Sequence, residues 1–144
     1  MAMTVKVEGV DKLMKQLMKY NDSVAKETVN TINRGMLEVA NEAKRRAPVD
    51  FGRLRSSISL TKATASDPTG VTFVGVDYAP FVEFGTKSRT EVPQGLEQYA
   101  SQFKTSADGA TGGVPAQPYL FPAFEQERPK IIQNLENLLT KFEQ

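Results

Sequence analysis

Glu83 lies among Phe81, Val82 and Phe84, and a carboxylate in so apolar a setting is the first place to look for chemistry. Taken out of water, it needs a cation or backbone donors to hold its charge. General acid or base work would need a second polar group at matching spacing, and the neighbouring sequence supplies none. Arg53 or Arg55 is the expected partner, which would make Glu83 half of an ion pair joining two distant stretches. The other concentration of charge is cationic. Lys44, Arg45, Arg46, Arg53, Arg55 and Lys62 stand against a single acid, Asp50, over residues 44–62. Such a run can bind phosphates, or it can be a solvated helix end whose cations complement the helix dipole. Arg45, Arg46, Arg53 and Arg55 are therefore candidates either for nucleic-acid contact or for salt bridges.

Composition narrows the remaining chemistry. The 144 residues include no Cys, His or Trp, and 18 Lys+Arg balance 17 Asp+Glu for a net charge of +1. Without thiols or imidazoles there is no Cys nucleophile, no Ser–His–Asp triad and no Cys- or His-based metal site. No catalytic residue, cofactor or metal is expected, and near-neutral charge gives no overall pull toward nucleic acid or acidic membranes. No stretch has the roughly 20 consecutive apolar residues of a membrane-spanning helix, and the first residues do not read as a secretory signal. Synthesis in a cytoplasm is the expectation. The length suits one domain over 1–144.

The elements that must position these groups follow from periodicity. Thr4–Glu8 alternates as a short strand, and Leu13 and Leu17 suggest a helix from about Asp11 to Tyr20. Ala25, Val29, Ile32, Met36, Val39, Ala40, Ala43 and Ala47 form one apolar stripe on a long helix from Ser23 to Arg46, stopped by Pro48. Asp50 and Gly52 then make a corner, with Asp50 bonding its own following backbone and Gly52 reversing the chain. Leu54, Ile58 and Leu60 read as an extended run that pairs with Val71–Val76 across Ser66–Gly70, an antiparallel hairpin. Residues 86–117 are rich in Ser, Thr, Gly and Gln and are expected to be a flexible loop. Within it, Leu96, Tyr99 and Phe103 share helical spacing over 94–104 and are expected to form an assembly surface. Pro115, Pro118 and Pro122 hold an extended lead-in, with Tyr119, Leu120 and Phe121 either packing under the last helix or serving assembly. That helix spans about Ala123–Phe142, with Pro129 in its first two turns. The fold class expected is α+β: a short antiparallel sheet on a long helix, with a C-terminal helix and a long loop.

Three stretches in order carry a resemblance. They are Ala47–Arg55 (with Pro48, Asp50, Gly52, Arg53 and Leu54), Tyr78–Thr86 (with Tyr78, Glu83, Gly85 and Thr86) and Pro115–Ala123 (with Pro118 and Pro122). Together with the flanking helices they resemble the tail-completion, or head–tail joining, proteins of long-tailed bacteriophages. Phe51 departs from that pattern, which usually has a small hydroxyl residue there. The resemblance implies a non-enzymatic virion subunit of the neck or the head-proximal tail. Its expected partners are copies of itself in a ring, six being the expected number, and neighbouring neck and tail proteins. DNA would at most pass through, with some of the cations facing the channel, and the 86–117 segment would order on assembly. A tail terminator or head-closure ring is the nearest alternative. A small nucleic-acid-binding module is an alternative of another class.

Overall fold

In the computed structural model, which describes residues 3–6, 17, 22–48, 52–86, 94–103 and 114–143, two long helices and a three-stranded sheet enclose the core. Strand β1 (Met3–Lys6) precedes helix α1 (Asp22–Arg46), the short helix α2 (Gly52–Ser56) and strands β2 (Ile58–Thr61) and β3 (Val71–Val74). Short helices α3 (Ala79–Phe84) and α4 (Glu97–Ser101) and the long α5 (Leu120–Glu143) complete the chain. The α+β expectation holds. Of the helix expected over Asp11–Tyr20 only Leu17 lies within the described residues, and it is fully buried.

The sheet is antiparallel in the order β1-β3-β2. The hairpin read from sequence is present, with Ile58 opposite Val74 and Thr61 opposite Val71. The free edge of β3 is taken by β1, Met3 opposite Val74. Met3, Val5, Ile58, Thr72 and Val74 are buried, every second residue as strand geometry dictates. Thr72 belongs inside because its hydroxyl donates to the carbonyl of Met36 in α1 at 2.9 Å. Leu54 is not in the extended run. It lies fully buried on α2, whose turn is closed by Ser57 N–H donating to the carbonyl of Arg53 at 3.0 Å. Ser57 also donates its hydroxyl to the carbonyl of Leu54 at 2.8 Å, a local bond that competes with strand pairing.

Helix α1, about 37 Å long at 1.5 Å per residue, buries the expected stripe from Ile32 through Ala43. Nearer its start the buried residues are Val24, Thr28 and Thr31 rather than Ala25 and Val29, which are half-buried. The two threonines tolerate burial because each hydroxyl donates to the carbonyl four residues earlier, both at 2.8 Å. Helix α5 runs antiparallel alongside, with Arg46 donating to Gln126 at 2.8 Å at one end and Lys141 pairing with Glu27 at 3.7 Å at the other. It begins earlier than expected, so Pro122 lies in its first turn and not in a lead-in. Pro129 consequently sits in the helix interior, exposed, where its ring removes one bond of the ladder.

The two helices touch where Gly35 meets Ile131. A Cβ on Gly35 would overlap Ile131 Cγ1 and Cδ1, and a β-branched side chain has little freedom to withdraw. Alanine at a helix-interior position would ordinarily add about 1 kcal/mol of helix propensity over glycine. We expect Gly35→Ala to destabilise the protein instead, by about 1–2 kcal/mol net of overpacking. In an Ile131→Ala background the same change should become stabilising, a reversal that urea denaturation of the double-mutant cycle reads directly.

Candidate functional site

The stretch after β3 folds into α3 because Pro80 falls in its first turn, where a fixed φ helps and no N–H is needed. The helix stops after six residues at Gly85, whose φ of 69° and ψ of 176° lie in a region essentially reserved for glycine. This short helix buries Val82, Glu83 and Phe84 together, and the Glu83 side chain reaches the start of α5. Its Oε2 accepts the N–H groups of Tyr119 at 2.8 Å and Leu120 at 2.9 Å, and its Oε1 accepts that of Phe121 at 3.0 Å. The first N–H groups of a helix have no partner within it and carry partial positive charge. Tyr119, immediately before α5, has no short side-chain oxygen to cap them, so an acid 36 residues away does so.

Main-chain bonds close the same joint. Gln117 N–H donates to the carbonyl of Val82 at 2.8 Å, and Thr86 N–H to that of Val114 at 2.9 Å. Val114 N–H returns a bond to Thr86 Oγ1 at 2.7 Å. The crossing segment lies so close that a Cβ on Gly85 would stand 2.5 Å from Ala116 N and 2.7 Å from Val114 O. Tyr119 is fully buried, and its hydroxyl donates to the carbonyl of Ala79 at 3.2 Å with Met3 Sδ at 3.8 Å. Phe84 fills the middle, its ring centroid 5.7 Å from those of both Tyr99 and Phe121. Tyr78–Thr86 and Val114–Phe121 thus form one clasp.

Electrostatics in the clasp are those of burial. Loss of water pushes the Glu83 carboxyl above its ordinary value, while the N–H groups of Tyr119, Leu120 and Phe121 pull it down and the charge of Glu125 adds a smaller upward push. Burial, and then the Glu83 charge, push the Tyr119 hydroxyl well above the ordinary tyrosine range. Both groups are fully engaged in holding the joint.

The expected partner of Glu83 is corrected. Backbone donors, not Arg53 or Arg55, satisfy it. Arg53 is exposed, and the half-buried Arg55 donates to the carbonyl of Ala47 at 3.2 Å. Glu83 therefore joins the second motif to the third. In the first motif Pro48 follows the end of α1, Gly52 and Arg53 open α2 and Leu54 anchors it, while Asp50 and Phe51 lie outside the described residues. Pro118 is exposed beside the buried Tyr119.

The expected assembly surfaces change too. Tyr119 and Leu120 are fully buried in their own chain, because the clasp draws them in. Phe121 is half-buried against Phe84. Leu96, Tyr99 and Phe103 are half-buried against the core, leaving only their outer sides for any neighbour. The parts of 86–117 that are described, namely Thr86, 94–103 and 114–117, are seated on the body. Arg45 and Arg46 both pair with Glu42, at 2.7 Å and 3.0 Å. The Arg45 bond first, and the Arg46 contact after it, hold the Glu42 carboxyl below its ordinary value. These cations are salt-bridged, which reduces what they offer to phosphates. Among the described residues no three His, Cys, Asp or Glu gather where a metal ion could be held.

Sequence reading missed the capping role of Glu83, whose signal was an acid at the end of an apolar helix with no cation beside it.

The family model of HK97-gp10-like bacteriophage tail components matches residues 11–85, more than half of the 144. The chain belongs to this family. Membership makes it a tail component of a bacteriophage virion, a structural protein. No curated protein and no solved structure matches it. The matched span of the tail component ends at Gly85, so the segment that Glu83 captures lies beyond the match and is joined to it by the clasp.

Proposed function

We propose that this tail component is a ring-forming subunit at the head-proximal end of the tail, completing the tail and joining it to the head. The observation that carries the reading is the clasp. Two of the three stretches that resemble tail-completion proteins meet in it, and the polar groups described there satisfy one another. A rigid joint of this kind suits a subunit whose work is to present fixed surfaces to identical neighbours. Identical heterologous contacts that close on themselves make a ring, and six copies is the number favoured. Neighbouring neck and tail proteins would stack on the ring, and DNA would pass through it. Native mass measurement and electron microscopy of the purified chain test this. A closed ring of one stoichiometry is expected. A chain that stays monomeric at every concentration and is missing from virions would overturn the proposal.

A further inference from the structure

We draw no further inference here: the strongest candidate, the cleft of about 280 Å³ between α1 and α5 lined by Arg34, Glu38, Glu127 and Lys130, sets two cations against two acids and so selects neither an anion nor a cation, and nothing in the structure shows what covers it.

Discussion

Gly85→Ala is expected to lower the unfolding free energy by about 3 kcal/mol or more. Two independent costs combine. The backbone conformation at φ 69° and ψ 176° is one that side chains other than glycine adopt at about 1–3 kcal/mol. In addition, the new Cβ would press on Ala116 N, Val114 O and Pro115 C at 2.5, 2.7 and 2.9 Å. These are backbone atoms, and they are fixed by the bonds of Thr86 and Gln117 to Val114 and Val82. Moving them means opening the clasp. Gly95 separates the two costs, since it has a φ of 90° and a Cβ there would meet nothing within 4 Å. Gly95→Ala should cost only about 1 kcal/mol, the conformational part. Urea denaturation of both variants gives the comparison, and equal losses would show that the close crossing carries no energy.

Glu83→Ala should be of similar severity, about 3–5 kcal/mol, because the buried N–H groups of Tyr119 and Leu120 and the part-buried one of Phe121 lose their only described acceptor and each such orphan costs about 1–3 kcal/mol. Glu83→Gln keeps one oxygen but turns an amide NH₂ toward a donor, and a loss of about 2 kcal/mol is expected. The Gln variant also exposes the titration of the wild-type group. Folding raises the Glu83 pKa through burial, so the folded state binds its proton more tightly. The contribution of the group is then fully present below the ordinary carboxyl range and is lost as pH rises through the raised value. The wild-type margin over Glu83→Gln should accordingly shrink from acid to neutral pH. A margin that grows with pH would mean that the three donors outweigh desolvation.

Much of the scaffold was legible because it follows from period and punctuation. The stripe from Ile32 to Ala43, the stop at Pro48 and the hairpin of β2 with β3 are all dictated by local pattern. Where side chains satisfy themselves locally, pattern misleads: Thr28 and Thr31 look polar yet are buried on their own carbonyl bonds. Leu54 looks like part of a strand, but the local bonds of Ser57 set it on a helical turn. The clasp was legible only in part. An acid among apolar residues signalled a carboxylate in need of partners, but a carboxylate far along the chain from the helix it caps leaves no spacing to read. The cations of the first stretch, Arg53 and Arg55, were the natural but wrong partners. For the same reason the aromatic strip of Tyr119 and Leu120 could not be assigned to the core until the segment that receives it was seen.

The most direct examination of this account is a reconstruction of the whole phage particle with the chain traced in density. It should show copies of this subunit closed around the DNA path where the tail meets the head, each with Glu83 over the start of its own α5. Particles that build complete, head-joined tails with no copy of the chain at that junction would contradict it.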